Sequence, residues 1–323
     1  MGNVGLGSYI GFAEQVTAGT PAAPDHFLPV INMGLDADYQ RLAEEHMGHP
    51  SQNNAEARET YLSAIKAGGN LKVLMGYNND SLLLLKHCLG LLSTTGSGPS
   101  WDHEMAPSHS VPTGTAGLTV AQTYGLRGPV NRQRVFSDVA PTKWDLQWSL
   151  GKRTALNMDC VGGLVSPMQA IAGSPVFEAA PPISAYQHLS AAGLTLGGTK
   201  VNGLEDIKVS QDRKFVAPGE LGSLYATTPL QDGDSDTMLE LAYRWSDNTI
   251  LDLFENGNYV TGAANFTDGT HGIALAFARL QVVGHPIVVS SRGLTRITAR
   301  LKALGTPTNP SIKATVTTDR ETL

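Results

Sequence analysis

A strict alternation of apolar and polar residues over Lys143–Leu150 is the feature that most constrains the fold of this chain. Every second residue of that stretch is apolar, namely Trp144, Leu146, Trp148 and Leu150. In an extended strand this spacing puts the apolar side chains on one face of a sheet and the polar ones on the other. A second alternating stretch follows after a Gly-Lys turn. We therefore predict an antiparallel hairpin over 143–161, with Cys160 packed in its core.

The same alternation returns near the end of the chain, over 296–301 and again over 312–317. Upstream of both, the stretch 250–266 carries Asn256-Gly257 between two strand-like segments. This dipeptide predicts a hairpin turn, because both central positions of the favoured turn need a positive φ. An antiparallel sheet with one wet face accommodates all of these strands.

Two short helices are predicted from capping residues and apolar spacing. Asp80 can cap a helix that runs through Leu89 and ends at Gly90. Asp236 can cap a second helix through Trp245, because apolar residues recur there every three or four positions. Both helices are short, so we expect each to lie on a sheet. The tryptophans at these periodic positions are expected in the core: Trp144, Trp148 and Trp245.

The order of elements repeats between the two halves of the chain. In each half a strand precedes the predicted helix, and further strands follow it at similar spacings. We interpret this pattern as an internal duplication. The first half comprises residues 1–172 and includes an N-terminal arm, and the second comprises 173–323 and begins with a Pro-rich junction. The expected fold class is mainly β and antiparallel, with one short helix on each half.

Composition excludes several classes of protein. Charged residues make up 16% of the chain and its formal net charge is −6, with no long basic run. A dedicated nucleic-acid binder would carry a basic patch or stripe. Two cysteines are too few for a disulfide scaffold or a four-cysteine zinc site. The sequence also shows neither a signal-peptide pattern nor an apolar run long enough to span a bilayer, so we expect a soluble protein of a reducing compartment.

The residues form no catalytic constellation. His103-Glu104 is not followed by the second histidine of a zincin helix, and the aspartates at 232, 234 and 236 lack the glycine and glutamate of a calcium loop. No nucleophile elbow is present, and neither cysteine lies in a nucleophile signature. We therefore expect no enzyme activity, no bound metal and no cofactor. The scattered histidines are interpreted as surface residues: His46, His49, His103 and His109.

The opening of the chain resembles a known family. Gly7-Ser8-Tyr9-Ile10-Gly11-Phe12-Ala13-Glu14, followed by Gly19-Thr20-Pro21, is similar to the start of the tail tube proteins of long-tailed bacteriophages. Weaker similarities extend over most of the chain and include Gly68–Leu71 and the Asn256-Gly257 segment. The resemblance implies a tail-tube-type antiparallel β-sandwich or barrel.

What the family does is carried over as an expectation. The resemblance implies a structural virion protein without catalysis that assembles with itself into stacked homotrimeric or homohexameric rings, and we favour trimers. The rings would form the hollow tail tube through which phage DNA passes without sequence-specific binding. Further expected partners are the tape measure protein, the tail terminator and the tail-tip proteins, and no membrane. The expected location is the virion tail, after assembly in the bacterial host cytoplasm.

Subunit contacts are expected at five residues: Tyr9, Phe12, Glu14, Arg41 and Glu45. We also expect the N-terminal arm and the loop 40–60 to become ordered only on assembly, because they have little core to join. On this view, deletion of residues 2–20 abolishes tubes and leaves a folded subunit. The negative net charge suits a channel that must not hold phosphates.

Two other functions remain open at this stage. One is a non-enzymatic binding module of a virion or a secretion system, carbohydrate- or partner-binding, which would need an exposed aromatic platform. The other is a metal-assisted hydrolase that uses the histidine-rich stretch 46–109.

Overall fold

The computed structural model describes residues 9–43, 60–76, 80–98, 100–107, 117–124, 132–167, 169–170, 189–219, 223, 225–226, 228–245, 248–267, 270–284 and 296–323. Strands dominate these residues, and they pair antiparallel apart from one isolated bridge. The mainly β, antiparallel fold class is therefore confirmed. None of the helices in this part of the chain has the length and apolar character that crossing a membrane requires.

The part of the chain before residue 171 contains eleven of the strands and one helix. Their bounds are β1 (Tyr9–Gln15), β2 (His26–Met33), β3 (Asp36–Ala43), β4 (Thr60–Leu74), α1 (Ser81–Leu89), β5 (Leu91–Ser97), β6 (Ser100–Met105), β7 (Gly117–Tyr124), β8 (Arg132–Ser149), β9 (Ala155–Gly162), β10 (Leu164–Val165) and β11 (Gln169–Ala170).

The part of the chain after residue 188 contains ten strands and a second helix within the described residues. Their bounds are β12 (Leu189–Leu196), β13 (Thr199–Lys200), β14 (Leu204–Asp212), β15 (Phe215–Val216), β16 (Leu230–Gln231), β17 (Asp236–Arg244), α2 (Thr249–Asn256), β18 (Tyr259–Thr267), β19 (Gly272–Gly284), β20 (Arg296–Ala303) and β21 (Lys313–Thr318).

Six strands of the first part close on themselves in the order β1–β2–β4–β9–β8–β7, with β7 returning to β1. The closure depends on β8, which pairs with β7 over its first half and with β9 over its second. Asp138 lies where the strand changes partner and has a positive φ of 53°. Its carboxylate accepts hydrogen bonds from the Gly19 N–H, and its own N–H donates to the Gln15 side chain at 2.6 Å. These bonds stabilise a backbone conformation that non-glycine residues rarely adopt.

A second, wider sheet continues from the barrel into the rest of the chain. β2 and β3 lie end to end along one edge of β4, and the order then runs β4–β9–β8–β14–β17–β20–β19. We call these strands the wide sheet. The hairpin over 143–161 is confirmed as β8 and β9.

One face of the wide sheet is apolar and buried. On β8, Trp144, Leu146 and Trp148 are all at most 5% exposed. The alternating apolar residues of the neighbouring strands continue this face, including Leu156, Met158, Cys160, Ile207, Val209, Leu239, Leu241, Ile297, Ala299 and Leu301. Trp148 stacks on Phe266 of β18 with ring centroids 4.1 Å apart, so β18 belongs to the layer that covers this face. The core positions of the two β8 tryptophans and of Cys160 are confirmed.

The first predicted helix is confirmed, and the second is wrong. α1 begins after Asp80 and ends at Gly90. The segment predicted as a helix over Asp236–Trp245 is instead the strand β17, which pairs with β14 on one side and β20 on the other. Its residues alternate between buried and half-buried, as expected of a strand. The same residues also have the apolar spacing of a helix, so the sequence pattern is compatible with both structures. Trp245 follows the strand and is 38% exposed, so its predicted place in the core is also wrong.

The hairpin predicted around Asn256-Gly257 is wrong in its first strand. Residues Thr249–Asn256 form the helix α2, and the chain enters β18 only after it. Gly257 has a φ of 64° and ends the helix in the left-handed conformation. The positive φ that the dipeptide signals is therefore real, but it serves a helix C-terminus and not a hairpin turn.

The prediction of an N-terminal arm that becomes ordered only on assembly is wrong for the residues after Ser8. β1 pairs with β2 on one side and with β7 on the other, and Ile10 and Phe12 are fully buried. This strand closes the barrel, so loss of residues 2–20 is expected to unfold the subunit, contrary to the expectation from sequence. The cause is the apolar character of Tyr9–Ala13, which exceeds what a solvated arm would carry.

The duplication, with halves 1–172 and 173–323, stays a prediction. Within the described residues each half contains one helix, as expected. The spacing argument, however, counted from a predicted helix at Asp236, where the structure has the strand β17, and the observed helix α2 starts only at Thr249. The Pro-rich junction over 174–182 lies outside the described residues.

Replacement of Phe12 by alanine tests the assignment of β1 to the core. We expect Phe12→Ala to lower the free energy of unfolding by about 3–5 kcal/mol, because it removes a fully buried ring. Urea denaturation followed by tryptophan fluorescence measures this. Val16→Ala is the control, since Val16 is 85% exposed just past the same strand and should change stability by at most about 0.5 kcal/mol. Equal small effects for both variants would contradict the assignment.

Candidate functional surface

The opposite face of the wide sheet is polar, and its side chains are linked across the strands. Asn32 on β2 donates to Asn70 on β4 at 3.3 Å, and Asn70 donates to Asn157 on β9 at 2.8 Å. Asn157 in turn donates to Asp145 on β8 at 3.0 Å. Asp145 lies 3.6 Å from the ammonium of Lys208 on β14. Side chains from five adjacent strands thus form one connected row.

The row continues over the remaining strands of the wide sheet. Glu240 on β17 is paired in register with Lys208, and its carboxylate accepts from Arg300 on β20 at 2.9 Å. Arg300 is in register with Gly284 on β19. We call this row the polar ladder: Asn32, Asn70, Asn157, Asp145, Lys208, Glu240 and Arg300. It arises because seven strands contribute side chains from the polar half of their alternation, at positions that are in register or two residues apart.

Further basic side chains on this polar face also have acidic partners. Lys143 lies 3.3 Å from Asp212, and Lys302 lies 2.8 Å from Asp236. Glu205 accepts hydrogen bonds from Arg244 at 2.7 Å and from Arg296, and these two bonds hold the pKa of the Glu205 carboxyl below its ordinary value. A register shift at the start of β14 brings Glu205 to this face.

These ion pairs set the charge of the surface more than the stability of the fold. Most of the basic partners are between about 40% and 65% exposed, so solvent screens these pairs and each contributes little to stability. Acidic and basic side chains are interspersed strand by strand. The polar face therefore presents many dipoles and no continuous patch of one sign.

The wide sheet ends in open edges within the described residues. β3 pairs with β4, and its other edge has no partner strand in this part of the chain. At the far side, Val282, Val283 and Gly284 of β19 extend past the last residue that pairs with β18. Open edges present unpaired backbone N–H and C=O groups to any strand that can reach them.

The five predicted contact residues fall in different environments. Tyr9 and Phe12 are buried in the barrel, at 8% and 0% exposure. The backbone of Arg41 lies on β3, the strand with the open edge, in register with Leu62. Glu45 lies outside the described residues, as do residues 44–59 of the predicted loop 40–60. Of the contact residues that the structure describes, only Arg41 lies on a strand with an open edge that another subunit could reach. The contact role of all five residues stays a prediction.

Glu14 takes part in an internal polar cluster between β1 and α1. Its Oε1 lies 2.9 Å from Lys86 Nζ and 2.9 Å from His87 Nε2. Burial alone would raise the pKa of Glu14, but the hydrogen bonds from His87 and Lys86 outweigh it and lower this pKa to about 2. Burial lowers the pKa of His87, so its neutral ring donates Nε2–H to the ionised carboxylate. Arg213 completes the cluster by donating to the His87 carbonyl.

The histidines do not form a metal centre in the described part of the chain, where no group of three or more metal-ligating side chains meets. His103 is fully buried and bonds Thr94, Thr318 and the Arg320 carbonyl, so its prediction as a surface residue is wrong. His46, His49 and His109 lie outside the described residues. The tryptophans of β8 are buried and offer no sugar-stacking platform.

The polar ladder is the feature that sequence reasoning missed. The alternation over 143–149 identified its β8 member, but not the members on the other strands. Those members depend on registers between strands far apart in the chain, such as β2 with β4 and β8 with β14. The signal that could have found them is an asparagine or charged residue at the polar positions of each predicted strand.

Comparison with known proteins agrees with this architecture. A protein-family model described as phage tail tube protein matches residues 5–319. No curated protein matches the chain at a significant level.

The cluster around Glu14 predicts a loss of stability in acid. Because the pKa of Glu14 is about 2 in the folded chain and ordinarily 4.5, its stabilising contribution is present above pH 4.5 and is lost as the pH falls towards 2. We expect Glu14→Gln to lower the free energy of unfolding at pH 7 by about 2 kcal/mol and to flatten its decline between pH 4.5 and 2. Thermal unfolding across this pH range measures both effects.

Glu255→Gln on the exposed part of α2 serves as the matched control and should leave the pH profile unchanged. An unaltered acid profile in Glu14→Gln would contradict the role of the cluster.

Proposed function

The chain belongs to the phage tail tube protein family, and from this premise we propose that its copies assemble into stacked rings that form the tube of a phage tail. The wide sheet forms the tube wall, and its polar face lines the channel. DNA passes along this face without being bound. The protein acts as a structural component of the virion tail and performs no catalysis.

The polar ladder is the observation that carries this proposal. A sheet with one apolar face needs a cover on that face only, and the layer containing β18 supplies part of it. The other face is wet and continuous over eight strand positions, and its described side chains form no large apolar patch. A channel wall requires such a face on every strand around its circumference.

The number of strands favours three copies in a ring. At about 4.8 Å between strands tilted by about 40°, eight strands cover roughly 50 Å of circumference. Three copies then close a ring of about 50 Å backbone diameter, which leaves room for a DNA double helix after the side chains are counted. Six copies would give a channel about twice as wide, far beyond what the same cargo needs.

The open edges supply the contacts between copies. The exposed edge of β3 in one copy pairs with the end of β19 in the next, and this removes both edges. A closed barrel also staggers its strands by about one residue per strand. When the registers are followed from strand to strand, Gly284 on β19 lies in the same row as Leu74 on β4. Asp38 on β3 is in register with Lys66 of the same strand β4. An eight-residue offset along β4, the stagger expected of eight strands, therefore places Gly284 of one copy opposite Asp38 of the next.

The charge pattern of the polar face supports passage of DNA. Lysines and arginines that met phosphates would bind them and release counterions, which slows movement. On this face each acidic partner neutralises a basic one, as Glu240 does for Arg300. The proposed channel is therefore balanced in charge, and not negative as the net charge of the chain alone suggested.

The remaining expectations are part of the same proposal. Arg41 and Glu45 contact a neighbouring copy, Arg41 because it lies on the open β3 strand. Tyr9, Phe12 and Glu14 support the interface from inside the subunit. The tube ends bind the tail terminator and tail-tip proteins, the channel holds the tape measure protein before DNA enters, and assembly takes place in the host cytoplasm.

Cross-linking of engineered cysteines tests the ring and its copy number. In Asp38→Cys/Val283→Cys we expect a bismaleimide to produce covalent species that end at three copies, because one edge of each subunit meets the other edge of its neighbour. Denaturing gel electrophoresis measures the series, and negative-stain electron microscopy of the same sample should show hollow rings or tubes. The native cysteines, Cys88 and Cys160, are buried and add no background.

Each variant with one engineered cysteine is the control and should stay monomeric on the gel, since that cysteine faces a different edge of the neighbour. A series that ends at six copies would contradict the trimer, and solely monomers from the double variant would contradict the edge contact.

Removal of acidic partners tests the charge-balanced channel. Tubes of Asp236→Asn/Glu240→Gln should retain short double-stranded DNA that wild-type tubes release, because Lys302 and Arg300 lose their partners. Co-sedimentation of tubes with labelled DNA at increasing salt measures this. Asp252→Asn on α2 removes one negative charge outside the polar face and is not expected to retain DNA. Equal retention in both variants would contradict the assignment of this face to the channel.

A further inference from the structure

The two ends of the wide sheet differ in shape and charge. At one end, β8 turns into β9 through residues 150–153, next to the start of β14; we call this the turn end. At the other end, β14 leads into a short two-stranded ribbon made by β15 and β16; we call this the ribbon end. β14 connects the two ends and spans about 26 Å.

The turn end contains a cavity. It has a volume of about 370 Å³ and lies between the β8–β9 turn, the start of β14 and β18. Trp148, Leu204 and Phe266 contribute apolar walls, and the stacked pair Trp148–Phe266 is part of its lining; Lys152, Glu205 and Asp206 add charged side chains. Leu150 at its rim is 81% exposed, and the exposed Arg153 follows in the same turn.

The ribbon end carries a protruding apolar side chain with acidic neighbours. Leu230 is 59% exposed at the start of β16, which pairs with β15. Phe215 on the partner strand is buried beneath the guanidinium of Arg213, 4.6 Å from the ring centre. The Asp232 N–H donates to the Lys214 carbonyl at 2.8 Å. Asp232 and Asp234 follow Leu230 closely and are exposed.

We propose that Leu230 of one copy inserts into the turn-end cavity of a copy in the next ring, where Asp234 meets Arg153. This inference rests on the proposed function, because strands of a barrel tilted by about 40° direct their ends towards the neighbouring rings. Burial of an exposed leucine is favourable, and Trp148, Leu204 and Phe266 of the cavity offer apolar walls for it. The occupant of the cavity is therefore a second copy of this chain.

The same contact sets the direction in which rings stack. Two turn ends facing each other would bring Arg153 against Arg153, and two ribbon ends would bring Asp232 and Asp234 against their equivalents. Head-to-tail stacking pairs Arg153 with Asp234 and fills the cavity. A contact between two different surfaces of identical subunits does not close on itself along the axis, so it propagates as a filament of uniform polarity.

A charge exchange between the two ends tests the inference in the full-length protein. We expect Arg153→Glu alone and Asp234→Arg alone to form rings that do not stack, because like charges then meet between rings. The combined variant Arg153→Glu/Asp234→Arg should recover tubes. Leu230→Ser should also leave unstacked rings, and Leu92→Ser, at a similarly exposed leucine of β5, should form tubes as wild type does. Electron microscopy and sedimentation separate rings from tubes.

The outcomes distinguish this inference from the proposed function. Rings of Arg153→Glu or of Leu230→Ser that stack as well as wild type overturn the stacking contact while leaving the ring intact. Failure of the combined variant to regain tubes also overturns it. Absence of rings in the wild-type protein overturns the proposed function itself. Thermal unfolding close to that of wild type is required of each variant and excludes misfolding as the cause.

Discussion

The pairing of β8 with β14 is the interaction on which the rest of the structure depends. Residues 143–149 of β8 pair with 206–212 of β14, and this ladder joins the strands of the first part of the chain to those of the second. The other half of β8 closes the six-stranded barrel, so one strand holds both assemblies. Its change of partner is fixed by the bonds of Asp138. Without this strand, the polar face would be two separate surfaces.

Local patterns were sufficient where only one structure fits them. The alternation over 143–150 allows a strand and excludes a helix, and β8 and β9 confirm it. The residues of β17 satisfy both periods, and hydrogen bonding to two neighbouring strands decides in favour of the strand. Asn256-Gly257 correctly signals positive φ, but that conformation occurs in helix ends as well as in hairpins. These choices depend on contacts between distant residues, which a local pattern does not contain.

The sequence predicts the fold better than it predicts the candidate functional surface. The family motif around Tyr9–Glu14 was recognised, yet its side chains build the barrel and the internal cluster with Lys86 and His87. The motif therefore identified the family through its core. The polar ladder requires seven strands in a defined register, and those registers follow from long-range pairing and from the shift at Glu205. Only its β8 segment could be predicted, because it lies within a single alternating run.

The continuity of the wide sheet has a mechanical consequence. Its backbone hydrogen bonds run across the strands, so in a ring closed as proposed a large component of them lies along the circumference. Expansion of the channel would have to break many such bonds together, whereas bending along the axis would shift only side-chain contacts between rings. A tube of this design therefore resists radial expansion of each ring and still bends at the contacts between rings.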